Sequence, residues 1–80
     1  MKGNEQICSA VKGALDQYFR DLDGEHPSSI YSMVLSCVER PLLQVILDKA
    51  QGNQTKAAEL LGINRNTLRK KMQQYDLTEQ

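Results

Sequence analysis

Residues 52–75 read GNQTKAAELLGINRNTLRKKMQQY, and the order of caps, small residues and cations in this stretch decides the fold. Gly52 stands where a helix ends, able to take a left-handed backbone as a C′ residue without steric cost. Asn53 follows as an N-cap whose side-chain oxygen can accept from an orphan N–H of the next helix. Ala57, Ala58 and Leu61 recur at helical spacing, and two adjacent small side chains allow a crossing helix to approach closely. Gly62 breaks this helix, Ile63 fills the corner, and Asn64 caps a further helix over about Arg65 to Gln74. Two short helices joined by a Gly turn form a helix-turn-helix.

The second of these helices has two faces. Leu68, Met72 and Tyr75 fall at i, i+4 and i+7, an inward apolar stripe. Arg65, Asn66, Arg69, Lys70 and Gln73 fall mostly opposite, with Thr67 near the helix start. Arg can pair bidentately with guanine, Asn with adenine, and Lys and Arg neutralise phosphate. A plain solvated basic face would carry the same charges. The small-residue helix, the Gly turn and the capping Asn favour recognition of double-stranded DNA instead.

Charge is divided along the chain although the total over 80 residues is zero. Residues 1–50 hold five Lys and Arg against seven Asp and Glu, a net of −2, while residues 51–80 hold five against three, a net of +2. Within residues 53–75 the single acid is Glu59. A local basic face, doubled in a dimer, supplies the field that phosphate needs.

Other function classes find little support. A lone His26, in a loop beside Pro27, has no nucleophile near it in sequence, and neither a Gly-rich phosphate loop nor a carboxylate pair suggests an enzyme. Cys8 and Cys37 stand apart without metal spacing, so neither a metal nor another cofactor is expected, and no small-molecule substrate. Cys37 lies in an apolar run and is expected as a small core residue; Cys8 is expected either on a helix face or partly exposed. The apolar clusters are interrupted by Ser, Glu, Arg and Pro, so no segment is expected to cross a membrane. The N-terminus lacks a secretory core, which suggests the cytoplasm, with both thiols reduced.

The first fifty residues have the content of a dimerisation body within a single 1–80 domain. From Gln6 to Leu22, Ile7, Val11, Ala14, Leu15, Tyr18, Phe19 and Leu22 keep helical spacing, and Asp21–Ser29 is a loop by composition. A helix from about Ser29 to Gln51 is apolar around most of its circumference. Such a helix must be buried on most sides, more than 80 residues can arrange alone, so an intertwined homodimer is expected. Val34, Val38, Leu42, Val45 and Ile46 are its candidate core. Pro41 should kink this helix without ending it. The expected fold is all-α: four helices per subunit, residues 1–51 for dimerisation and 52–77 for the helix-turn-helix.

VKGALDQYF (11–19) and YSMVLSCVERPLLQVILDKAQGNQTKAAELLGINRNTLRKKMQQYDL (31–77) resemble the Fis family, bacterial factors for inversion stimulation. The resemblance spans about residues 7–77. It implies a nucleoid-associated protein that bends DNA, regulates transcription and serves in recombination complexes, with RNA polymerase or recombinases as further partners. It implies Asn64, Arg65, Thr67, Arg69 and Lys70 as recognition-helix contacts, Arg65 reading guanine at each end of the site. Asn53, Thr55 and Lys56 would hold phosphates beside the groove. Recognition helices closer than one DNA turn would require bending, and so favour AT-rich centres. GNQTKAAELLGINRNTLRKK also resembles the DNA-binding domains of nitrogen-regulator-type activators, and a helical adaptor is the non-DNA alternative. Many Fis proteins carry a further N-terminal arm that touches invertases; this sequence begins almost at the first helix, so the resemblance carries DNA binding further than invertase stimulation. Asp76 stands where the family often has Gly.

Overall fold

The computed structural model describes residues 2–77, and the remaining ends of the expected 1–80 domain lie outside the described residues. Four helices follow in order: α1 (Lys2–Leu22), α2 (Ile30–Lys49), α3 (Gln54–Leu61) and α4 (Arg65–Gln74). The described residues contain no strand, so the chain is all-α as expected. They form two compact units, Met1–Ile30 and Tyr31–Gln80, so α2 groups with the helix-turn-helix pair.

The first unit is essentially α1, which begins one turn before the periodic stretch at Gln6. Val11, Leu15, Tyr18 and Leu22 are half-buried, while Ile7 and Phe19 are exposed. Tyr18 and Phe19 meet edge to face with ring centroids 5.8 Å apart.

The second unit carries the core. Leu43 and Ala50 of the α2 region, Ala57 and Ala58 of α3, and Leu68, Met72 and Tyr75 at α4 form one buried cluster. Ile46, Leu47, Leu61, Ile63 and Leu77 pack against it. The fully buried Ala57 permits the close α3–α4 crossing anticipated from its small side chain. Pro41 sits inside a continuous α2.

The turns correct one sequence assignment. The Gly52 N–H donates to Leu47 and the Gln51 N–H to Asp48, the pair of bonds that marks a Schellman ending. Gln51, with φ +57°, therefore holds the C′ position assigned to Gly52, and Gly52 follows it at φ +82°. Ser29 also has φ +59°, so α2 starts one residue later than expected. Gly62 ends α3 as anticipated, with φ +76° and its N–H donating to Ala58 and Glu59.

Asp76 closes α4 in the same left-handed way, with φ +59°, and the Leu77 N–H donates to Met72 at 2.7 Å. A residue with a Cβ pays about 1–2 kcal/mol there, and an anion beside a helix C-terminus is also unfavourable. Asp76→Gly is therefore expected to stabilise the chain by about 1 kcal/mol, after allowing for the extra freedom of Gly when unfolded. A thermal midpoint raised by about 4–8 °C would register the change; a lowered midpoint would contradict it.

Two further expectations are corrected. Cys37 is exposed, its Sγ 3.9 Å from Met33 Sδ one turn back. An apolar run winds round the whole helix, whereas the core takes only the side bearing Leu43, Ile46, Leu47 and Ala50. By length and composition α2 also meets the requirement for crossing a membrane, contrary to the sequence reading: it has 20 residues, and an 18-residue window within it has a mean hydropathy of 1.4. The interrupting Glu39 and Arg40 lower that average without bringing it below what a span requires. Both nonetheless engage the α4 segment, Glu39 through Lys71 and Arg40 through Tyr75.

Candidate nucleic-acid interface

Local chemistry aims the candidate residues. Asn53, in extended backbone at φ −79°, accepts from the Lys56 N–H at 3.1 Å and starts α3. Asn64, at φ −68°, accepts from the Asn66 N–H at 2.7 Å and starts α4. Each side-chain oxygen is thereby spent on a cap, which leaves the amide hydrogens as donors. Both N-cap assignments made from sequence are seen.

Across the turn the Arg65 guanidinium donates to Thr55 Oγ1 at 3.3 Å. This bond links two proposed contacts ten residues apart and, among the described residues, leaves the other N–H groups of the guanidinium free. Thr67, Arg69 and Lys70 are exposed along α4, and Asn66, Arg69, Lys70 and Gln73 line a shallow concavity on its surface. The opposite face holds Leu68 and Met72, both buried, followed by buried Tyr75 at the C-cap. The structure therefore gathers Arg65 with Thr55, and Arg69 with Lys70 at the concavity; Asn53 and Lys56 lie at the start of α3.

The expected dimer residues divide. Val38, Leu42 and Val45 are exposed, Val34 is half-buried, and Ile46 packs on the core of its own unit. The large hydrophobic residues that α2 leaves exposed are Tyr31, Leu35, Val38, Leu42 and Val45, spaced 4-3-4-3. That is the repeat of a helix seam.

One constellation escaped sequence reading. Glu39 Oε2 accepts from Lys71 Nζ at 2.7 Å, and Oε1 accepts from the Tyr75 hydroxyl. The Arg40 guanidinium carbon lies 5.7 Å from the Tyr75 ring centroid, within cation–π range. The bond to Lys71, then that to Tyr75, holds the Glu39 carboxyl below its ordinary value of 4.5. The same carboxylate raises Lys71 above 10.5 and Tyr75 above 10.0. A depressed carboxyl stabilises the fold above its unfolded pKa and loses that contribution as pH falls through the folded value. A raised Lys stabilises below its unfolded pKa and loses its contribution as pH rises through the folded value. Comparing thermal midpoints of the chain and of Glu39→Gln across pH should therefore show a gap at pH 7 that closes below about pH 4. A gap that persists in acid would show that the lost charge is not its source.

Comparison with known proteins agrees with this geometry. Residues 35–75 match the bacterial regulatory protein, Fis family. A Ralstonia nicotianae protein named as Fis-like and DNA-binding is 58% identical over 71 residues, which cover 89% of this chain and 92% of the relative. A protein of the same name from Pseudomonas aeruginosa is 54% identical over 91% of this chain and 70% of its own length. The DNA-binding protein Fis of Actinobacillus succinogenes is 47% identical over 94% of this chain and 76% of its own. The chain belongs to the Fis family of bacterial regulatory proteins.

Proposed function

We propose that this chain is a dimeric DNA-binding and DNA-bending nucleoid-associated protein that regulates transcription, with site-specific recombination as a second setting. One observation carries the reading: α4 exposes Arg65, Thr67, Arg69 and Lys70 on one side while burying Leu68 and Met72 on the other. Relatives named for DNA binding cover almost the whole chain. Asn64 and Arg65 enter the groove first, with Arg65 reading guanine at the ends of an AT-rich site. Asn53, Thr55 and Lys56, beside the start of α3, hold phosphate. The seam on α2 and the apolar face of α1 meet a second copy. This assigns residues 1–51 to dimerisation and 52–77 to DNA, and the protein to the cytoplasmic nucleoid. RNA polymerase or recombinases are further partners; catalysis, a cofactor and a small-molecule substrate have no place in this reading.

A mobility-shift titration against salt tests it. A dimer contacting roughly eight phosphates gives log K against log salt a slope of about −7, whereas a helical adaptor binds no duplex. Arg65→Ala should cost about 1–3 kcal/mol at the preferred site and relax the guanine preference there. Equal weakening on every sequence would make Arg65 a phosphate contact. Lys56→Ala should weaken binding without altering preference, so a changed preferred sequence would contradict its assignment.

A further inference from the structure

Arg69, Lys70 and Lys71 are consecutive, yet the fold treats the third differently. Arg69 and Lys70 are exposed, whereas Lys71 is half-buried and paired with Glu39, 32 residues earlier. Lys71 and Tyr75 lie one turn apart on the same side of the α4 segment, so one carboxylate with an oxygen on each grips that side at two points. Two points resist both sliding and rotation. A turn of about 20° about the axis would carry a side-chain tip about 6 Å out through about 2 Å. Base contacts tolerate only about 0.5 Å. Arg40, stacked over Tyr75, bears on the same group from α2.

We propose that Glu39 is a positioning residue for the recognition helix: its carboxylate takes the Lys71 ammonium and the Tyr75 hydroxyl together, fixing α4 on α2 and withholding Lys71 from DNA phosphate. The proposal rests on α4 as the DNA reader. It makes Glu39 a determinant of specificity, although its own bonds are to α4 and Tyr75. With the pair intact, two of the three consecutive cations are free for phosphate. With it broken, Lys71 joins them, and binding becomes tighter to any duplex but less selective.

The test is a salt titration of binding to an AT-centred duplex with terminal guanines and to a scrambled duplex, using the full chain, Glu39→Gln, Lys71→Met and the double variant. Helicity and melting are followed in parallel. For Lys71→Met the salt slope should stay unchanged, because that cation was already engaged. Glu39→Gln should steepen the slope by about 0.9 for each additional phosphate neutralised. It should also lower discrimination between the duplexes about tenfold. Adding Lys71→Met to Glu39→Gln should restore the original slope but not the discrimination. A merely structural Glu39 would lower the melting midpoint and leave the slope alone. That result overturns the proposal, as does a slope for Lys71→Met that becomes shallower by as much as for Lys70→Met. Lys71→Met reads the point even if Glu39→Gln folds poorly. If the unaltered chain ignores both duplexes, the DNA reading fails and takes this proposal with it; if it binds with the wrong slopes, this proposal alone fails.

Discussion

Leu42→Glu is expected to halve the mass of the particle in solution and to abolish tight binding to DNA, while the helices stay folded. Leu42 is 45% exposed in the single chain, whereas Leu43 beside it is 2% exposed. A charge at Leu42 therefore costs the isolated subunit little. At a twofold seam it would bury two unpaired carboxylates near each other, at several kcal/mol or more. Light scattering should report the 9.0 kDa chain rather than twice that mass. Losing the second recognition helix removes the intramolecular second binding event, worth about 10²–10⁴-fold in affinity. Leu43→Glu is the contrasting variant, since it should unfold the second unit outright. If Leu42→Glu keeps twice the chain mass, the seam on α2 is not where two copies meet.

The contrast between those neighbours marks the limit of what was legible in the sequence. Caps and turns were readable because their chemistry is local: Asn53 bonds three residues on, Asn64 two, and Gly62 ends its own helix. Leu68, Met72 and Tyr75 were readable for the same reason, since their spacing alone aligns them. Helix α2 was not, because it is apolar around most of its circumference. Composition predicted burial for Cys37 and could not tell which side would receive it. Only the fold separates Leu43, turned to the core, from the exposed seam. The Glu39 clamp was invisible for a different reason. Its partners lie 32 and 36 residues away, and no periodicity relates one helix to another across such a distance. Gln51 illustrates a subtler miss: Gly52 is left-handed as expected, but so is Gln51, and the bonds from these two N–H groups to Leu47 and Asp48 put the C′ position on Gln51.

Leu68→Ala should produce the largest loss of stability of any single truncation in the recognition helix. Leu68 is fully buried among Ala57, Ala58 and Met72, where α4 crosses α3. Both neighbours from α3 are already small, so nothing on that side can extend into the space left behind. The cost is then transfer plus cavity, about 2–5 kcal/mol. A domain of this size has about 4–12 kcal/mol in total. The thermal midpoint should fall by about 10 °C or more. DNA binding should fail with it on heating, because α4 loses the contact that seats it. Arg65→Ala, on the exposed face, should leave the midpoint nearly unchanged while impairing recognition. The pair separates seating the helix from reading with it. A Leu68→Ala chain that melts within about 3 °C of the original would mean that the α3–α4 crossing is not what holds the reading helix in place, and that its position is set by α2 alone.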